Sequence, residues 1–424
     1  MRLRVRAWKV NGDILLLFLA GSVLRIVYSI ATKYDVRGHD VGGHIDYIVY
    51  LARNRYALPP VHGGLEYYHP PLYYMAMAPL YQLGTFLGWS EERSFTLIQG
   101  ASVFLSIATL ALGLWIGLLL FEQKDRLQLL SYGAIIAAFP SLIFFAARIN
   151  NDVLSAFLAF LSLLVLLRWW QRSGTWRWIL FSVLVGLGLL TKSSAVLLLA
   201  CGWVCLLLRP GFSMGKKARA FALSLLLVIA IAGWFHIPRA LQETDKKLAL
   251  IGNKDILTNF VPNTPRAFLV FNPLAMMRIP FNHAFEDAYR RMYFWEFYFR
   301  SGLFGEFQFD ARLLPLASVM IVFAFEVLLL AVLGFSVALR NSFIALLPMH
   351  ATTVVWLIGM VAYRYAYPYS SSQDFRYTIL LCVPLGYYVA RGIGCLPPWV
   401  QMVAAGIVAV FTACCGIFIT ALLT

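Results

Sequence analysis

The stretch PLYYMAMAPLYQLGTFLGW, Pro71–Trp89, decides how the rest of the chain is read. It is uncharged and close to the roughly 20 apolar residues that a helix needs to cross a bilayer. If it crossed, every later connection would change sides, and most basic connections would face outward. If it stays on the surface, FEQKDR (Phe121–Arg126), RWWQRSGTWR (Arg168–Arg177), RPGFSMGKKAR (Arg209–Arg219), Arg340 and Arg391 all fall on one side, with the N-terminus. The positive-inside rule makes that side cytoplasmic. Pro71–Trp89 is therefore predicted to be a helix lying on, or dipping into, the outer surface. Its tyrosines Tyr73, Tyr74 and Tyr81 suit such an interface.

Working outward, eleven apolar segments read as spans: Ile14–Ala31, Phe95–Phe121, Leu129–Ala146, Val153–Trp169, Trp178–Leu190, Ser194–Leu208, Ala220–Phe235, Leu313–Leu339, Phe343–Val361, Thr378–Ala390 and Val400–Leu423. The first follows the basic start MRLRVRAWK with no small-residue cleavage site after it, so it reads as an uncleaved anchor. Composition agrees. Of 424 residues 61% are hydrophobic and 13% charged, about half the charged fraction of a soluble domain. The expected fold is an all-α polytopic membrane protein, a bundle of about eleven transmembrane helices with juxtamembrane helices on the outer surface. It is one integral membrane unit over 1–424, with outer loops at about 32–94, 236–312 and 362–377. The net charge of +15 sits in short connections rather than on a soluble stripe, which argues for topology and against nucleic-acid binding. No fixed-period repeat stands out. Cys201, Cys205, Cys382, Cys395, Cys414 and Cys415 lie in or beside apolar spans without zinc-type spacing, and read as buried free thiols.

Four polar clusters interrupt this apolar background: HDVGGHIDY (His39–Tyr47), EYYHPPLYY (Glu66–Tyr74), ARINND (Ala147–Asp152) and LTKSS (Leu190–Ser194). The topology puts all four on the outer face. Asp40 lies just past the first span in a Gly-bearing turn that lets backbone approach a ligand, and reads as a general base. Asp35 and Asp46 read as solvated loop charges. His39, Asp40 and His44 are also possible ligands of a divalent metal, at a spacing that diagnoses none. Arg148, Asn150, Asn151 and Asp152 gather where the fourth span begins. Helix capping accounts for one of them, not for four. Lys192, alone in some 30 nearly apolar residues, stands on the side where the positive-inside rule does not want it, and suits an anionic lipid headgroup. Further along, Arg290, Arg291 and Arg300 read equally as phosphate grips or as interfacial anchors. Arg364, Asp374 and Arg376 lie in YRYAYPYSSSQDFRY (Tyr363–Tyr377), with Arg376 at the mouth of a span, where it suits a phosphate.

Taken in order, Asp40, HPPLYY (His69–Tyr74), Asp152, Leu190–Lys192, Phe304–Phe307 and Arg376–Tyr377 resemble the GT-C superfamily of polyprenyl-phosphate-dependent glycosyltransferases. The resemblance is to the glycosyltransferase 39-like group, which holds the protein O-mannosyltransferases and the lipid A aminoarabinose transferases. It covers most of the chain. It implies an inverting glycosyltransferase with its cavity at the outer leaflet. Asp40 would deprotonate the acceptor hydroxyl from within about 3 Å, and Asp152 would orient the acceptor or support the first loop. Lys192 and Arg376, then Arg148, would meet the leaving phosphate. His44, His69, Tyr73, Asn151, Glu306 and Tyr377 fall on or beside the motifs and join the substrate-binding set. Many relatives carry an Asp-Glu pair in the first loop, whereas here Val41 follows Asp40. That departure weakens a role that needs two adjacent carboxylates, such as metal binding, and no cofactor is assigned.

The implied partners are a polyprenyl-phosphate-linked sugar, a glycan, lipid or protein acceptor, and membrane lipids, with no nucleic acid. The implied setting is a bacterial or archaeal plasma membrane, with the active site outside. A secondary transporter and a non-catalytic lipid-binding scaffold are the alternatives. The former should show mid-membrane ionisable groups and repeated halves; His350 is the main such group and halves are not evident.

Overall fold

The computed structural model describes residues 12–38, 40–242 and 260–423. The basic start Met1–Lys9, His39 and part of the 236–312 loop lie outside the described residues. The helices in chain order are α1 (Gly12–Ala31), α2 (Val41–Arg53), α3 (Leu72–Phe86), α4 (Glu91–Leu120), α5 (Arg126–Ala138), α6 (Pro140–Phe144), α7 (Asp152–Gln171), α8 (Thr175–Leu189), α9 (Val196–Leu207), α10 (Met214–Val228) and α11 (Trp234–Gln242). After the undescribed segment come α12 (Pro265–Leu269), α13 (Pro273–Arg278), α14 (Phe294–Phe304), α15 (Leu314–Ser342), α16 (Leu347–Ala366), α17 (Cys382–Gly394) and α18 (Pro398–Thr420). The protein is an all-α polytopic membrane protein, and no β-strand occurs among the described residues.

Every segment expected to span is helical. Among the described residues, six helical stretches are individually long and apolar enough to cross a membrane: α1, α4, α7, α10–α11, α15 and α18. The α5–α6 pair makes a seventh if its 45° bend is one broken span. The bend has a local cause. Pro140 removes an amide donor, and Phe139 before it is extended, at φ −63° and ψ 121°, as a residue preceding proline prefers. The α8 and α9 segments are shorter apolar helices, of 15 and 12 residues. α17 has 13 residues, and a 3₁₀ stretch, Phe375–Leu381, leads into it.

The backbone divides into two compact units. Unit 1 comprises Met1–Ala31, Leu110–Phe144 and Asp255–Thr424, and unit 2 comprises Thr32–Thr109 and Phe145–Lys254. In unit 1, α15 and α17 cross closely enough that a Cβ on Gly334 would collide with the Tyr388 carbonyl oxygen, and one on Gly392 with the Leu330 carbonyl. Small residues at such crossings let membrane helices approach backbone to backbone. Gly392→Leu is expected to destabilise the protein by about 1–3 kcal/mol, the range for overpacking. Gly406→Leu on α18 meets nothing within 4 Å and should leave the thermal midpoint in detergent unchanged; equal midpoints for both variants would refute the close crossing.

In unit 2, α2 and α3 pack on one another around Tyr47, Ile48, Leu51, Tyr73, Tyr74, Met77 and Tyr81, joined by Ile98 of α4 and by Ile149. At 15 residues, α3 rises about 22 Å, short of the roughly 30 Å hydrocarbon core. It is not among the helices long enough to span by themselves. The tyrosines do something other than expected, however. Tyr73, Tyr74 and Tyr81 are 0%, 0% and 2% exposed, so they form the α2–α3 core instead of an interfacial belt. For two of the three a hydroxyl partner is at hand: the Tyr81 hydroxyl donates to Glu91 Oε1 at 3.1 Å, and the Tyr74 hydroxyl lies 2.8 Å from His44 Nδ1.

Candidate active site

Unit 2 brings together residues from all four polar clusters. Asp152 opens α7, a position where a carboxylate favours the positive helix end. Lys192 stands in the turn between α8 and the 3₁₀ turn Ser193–Ala195 that precedes α9. The Lys192 ammonium is ion-paired with Asp152 Oδ1, with side-chain exposures of 15% and 7%. Asn150 Nδ2 donates to the other carboxylate oxygen at 3.4 Å. Asn151 Nδ2 donates to the Thr191 carbonyl at 3.0 Å, so α7 grips the Lys192 turn by a side-chain bond as well as by charge. The Leu72 amide donates to the Leu190 carbonyl at 2.9 Å, which joins the first residue of α3 to the same turn.

The first loop closes on this centre. His44, in the first turn of α2, has Nδ1 2.8 Å from the Tyr74 hydroxyl, and its ring stacks with His69 at 5.8 Å. His69 Nε2 lies 2.7 Å from Glu66 Oε2. Burial pushes His44 down to about 4, partly offset by the field of Glu66 and Asp152, while His69 and Lys192 depress it further. His44 is therefore neutral near pH 7. Burial also holds the Tyr74 and Tyr73 hydroxyls above the ordinary phenol value, so both stay protonated. Asp40 precedes α2 in the left-handed region, at φ 54° and ψ 21°, and its side chain does not cap the helix. It is exposed, and its carbonyl accepts from the His44 amide at 3.2 Å. A non-glycine residue held there is a mildly strained position of the kind found at functional sites.

A pH prediction follows from His44. Its folded-state value of about 4 lies below the unfolded value near 6.5, so the unfolded chain takes up the proton first. Stability is full above the unfolded value and falls as pH drops through 6.5, reaching the whole penalty below 4. That penalty is about 3 kcal/mol. Thermal midpoints measured from pH 7.5 to 4.5 should fall for the wild type and fall less for His44→Asn; parallel curves would place His44 in water.

Two residues outside the predicted set pin the loop. Arg239 of α11 donates to the Tyr67 and Tyr68 carbonyls at 3.2 and 3.0 Å and stacks on Phe235 at 4.0 Å. His236 Nε2 lies 3.0 Å from the Leu189 carbonyl. In sequence both are polar residues ending an apolar run, and nothing in their spacing names backbone carbonyls as their targets. Arg148 is buried with its guanidinium 5.5 Å from the Phe145 ring. As for a divalent metal, no group of three His, Cys, Asp or Glu comes together among the described residues. Glu66 and His69 pair with each other, and His44 faces Tyr74. His39, the other candidate ligand, lies outside the described residues.

Arg376, Tyr377 and Glu306 belong to unit 1. Arg376 Nε is 3.6 Å from Asp374 Oδ2, and its Nη2 donates to the Tyr377 hydroxyl at 3.1 Å. Asp374 caps the 3₁₀ stretch by accepting from the Arg376 amide at 2.8 Å. Glu306 is buried just past α14. The three loop arginines fit neither reading given to them. Arg290 donates to both carboxylate oxygens of the fully buried Glu296, at 2.6 and 2.7 Å. Arg291 binds Asp287 at 2.7 Å. Arg300 donates to the carbonyls of Ile279, Phe281 and Tyr289, and burial pulls it down to about 10. They brace a loop whose backbone would otherwise bury orphan carbonyls. The cysteines are free as expected, but Cys395 is exposed. Unit 1 also contains a cavity of about 740 Å³ lined by Trp295, Phe299, Phe335, Leu357 and Phe375 among other apolar side chains.

No family model and no curated protein matches the sequence. Among solved structures, the oligosaccharyltransferase of Archaeoglobus fulgidus in complex with zinc and sulfate aligns at TM-score 0.56 and 14% identity, over 97% of this chain and 53% of that one. The Archaeoglobus fulgidus AglB in complex with an inhibitory peptide and a dolichol-phosphate aligns at TM-score 0.55 and 11% identity, over 98% and 56%. ArnT from Cupriavidus metallidurans in the apo state aligns at 0.41 and 13% identity, over 89% and 76%, a likeness on which nothing is built. The chain spans about half the length of the archaeal enzymes it matches. The chain shares the fold of the archaeal oligosaccharyltransferase over nearly its whole length.

Proposed function

We propose that this protein is an inverting glycosyltransferase that moves a sugar from a polyprenyl-phosphate donor to an acceptor hydroxyl at the outer face of the membrane. The observation that carries the reading is the largely buried Asp152–Lys192 pair, with His44 close enough to feel both of its charges. A buried ion pair is a weak stabiliser, so its presence in an apolar span-to-span turn calls for another reason. Lys192 supplies one: an ammonium held in a low-dielectric site stabilises a departing phosphate far better than one in water. The dolichol-phosphate bound in the archaeal AglB structure has the chemistry of the lipid phosphate that such a donor would release.

The roles divide by environment. Asp152 already neutralises an ammonium and holds it in place, which makes it a positioning group. Asp40 is exposed and does not cap its own helix, which suits a base that must reach an incoming acceptor. Asp40 takes the proton from the acceptor hydroxyl, and the oxygen attacks the anomeric carbon from the face opposite the phosphate. The bond from that carbon to the phosphate oxygen breaks, and its electron pair leaves with the phosphate, beside Lys192. The neutral His44 and the protonated Tyr74 offer hydrogen bonds to sugar or acceptor hydroxyls. The orientation is N-terminus cytoplasmic, with the reaction outside a bacterial or archaeal plasma membrane.

The test is transfer of radiolabelled sugar from a panel of polyprenyl-phosphate sugars to membrane acceptors, using purified protein. Transfer from one member of the panel is the expected result, and it identifies the donor. Tight donor binding with no transfer to any acceptor fraction would favour a lipid-binding scaffold instead.

A further inference from the structure

Unit 2 has a second polar place, at the far end of α7 from Asp152. The helix has 20 residues, so the two ends are about 30 Å apart, the thickness of the hydrocarbon core. A cavity of about 470 Å³ opens there. Its floor is aromatic, from the buried Trp169 and Trp178 with Phe212. Lys216 and Arg219 line it from α10, and Ser173 and Thr175 from the connection into α8.

The charge around it is one-sided. From Val153 to Gln242 the chain has no Asp or Glu, and seven of its basic residues lie in the connections at this end: Arg168, Arg172, Arg177, Arg209, Lys216, Lys217 and Arg219. Topology signalling accounts for the excess but not for its arrangement. Arg209 is caged, donating to the Trp170 carbonyl with its guanidinium 4.5 Å from that ring and 5.3 Å from Trp169. Arg177 donates to the Arg172 carbonyl at 2.6 Å, and Lys217 to the Leu207 carbonyl at 2.5 Å. Lys216 and Arg219 line the cavity, and among the described residues neither side chain has an ion-pair or hydrogen-bond partner. Trp176, 70% exposed, marks the level as interfacial.

We propose that this cavity binds the headgroup phosphate of an anionic phospholipid, in the leaflet opposite the Asp152–Lys192 cluster. Lys216 and Arg219 meet the phosphate, the Ser173 and Thr175 hydroxyls donate to it, and the tryptophan floor receives the glycerol and the first acyl carbons. Two unpaired cations over an aromatic floor complement a phosphate carried on an apolar tail. The inference rests on the membrane setting of the fold and not on the proposed reaction.

The test uses the full chain in neutral detergent, titrated with phosphatidylglycerol and phosphatidylcholine and read by native mass spectrometry. The wild type should prefer phosphatidylglycerol by about tenfold in Kd. Lys216→Gln/Arg219→Gln should bring the two lipids to parity. Arg177→Gln/Lys217→Gln removes the same charge from the same face outside the cavity, and should keep most of the preference. Lys216 and Arg219 are exposed and Arg177 and Lys217 half-buried, so folding should survive in both, and Lys216→Gln alone gives an intermediate preference if the double variant does not fold. Equal losses in the two double variants would reduce the effect to diffuse charge and overturn the site. So would inorganic phosphate that displaces the lipid at equal concentration, since the tail would then contribute nothing.

Discussion

Asp40→Asn is expected to lower the transfer rate by about 10²–10⁴-fold, the usual loss on removing a positioned general base, with the protein still folded. The substitution keeps size and hydrogen-bonding capacity but removes the proton acceptor. Asn also tolerates the left-handed backbone that Asp40 adopts at φ 54°, as few other residues do. Asp40 is exposed and does not cap α2, so the thermal midpoint should move little. Donor binding should persist, because the phosphate is met by Lys192. A variant that binds donor and transfers at the wild-type rate would remove Asp40 from the chemistry. One that fails to bind donor would make the first loop a lid or lipid contact instead of the seat of the base.

The second large effect is on stability. Asp152→Ala should destabilise the protein by about 3–5 kcal/mol, because it leaves the Lys192 ammonium in a buried site without its counter-charge. The 15% and 7% side-chain exposures rule out the near-zero effect of a surface pair. Asp152→Ala/Lys192→Met should recover most of that stability, since an apolar replacement of a buried pair is often neutral. It should not recover transfer, because the leaving phosphate would have lost its cation. Unfolding in detergent and the transfer assay, run on the same three proteins, separate the two roles. A single variant within about 0.5 kcal/mol of wild type, the range of ordinary surface substitutions, would mean that water reaches the pair.

The sequence carried more of the site than its apolar composition suggests. Each of the four polar clusters breaks a long hydrophobic background, and an ionisable group in such a place needs a partner. Unit 2 brings the clusters together through Asp152–Lys192, Asn151–Thr191, Leu72–Leu190 and His44–Tyr74. The pairings themselves were not legible. Asp152 and Lys192 are 40 residues apart, and nothing in either local pattern says which opposite charge each one meets. The same holds for Arg290, Arg291 and Arg300. An arginine beside aromatics looks alike in sequence whether it faces a phosphate, lipid or a backbone carbonyl, and only packing showed that all three brace the loop.

Sequence by itself determined the class and the helical segments, because spanning a bilayer is a one-dimensional constraint on length and hydropathy. Tertiary structure alone decided what the helices do with their side chains. It turned Tyr73, Tyr74 and Tyr81 from an expected belt into a core, and bent α5–α6 at Pro140. It neutralised His44 by burial and set two unpartnered cations over tryptophans at the opposite end of α7. These depend on which surfaces meet in three dimensions, and burial, charge pairing and desolvation act between residues that the chain keeps far apart.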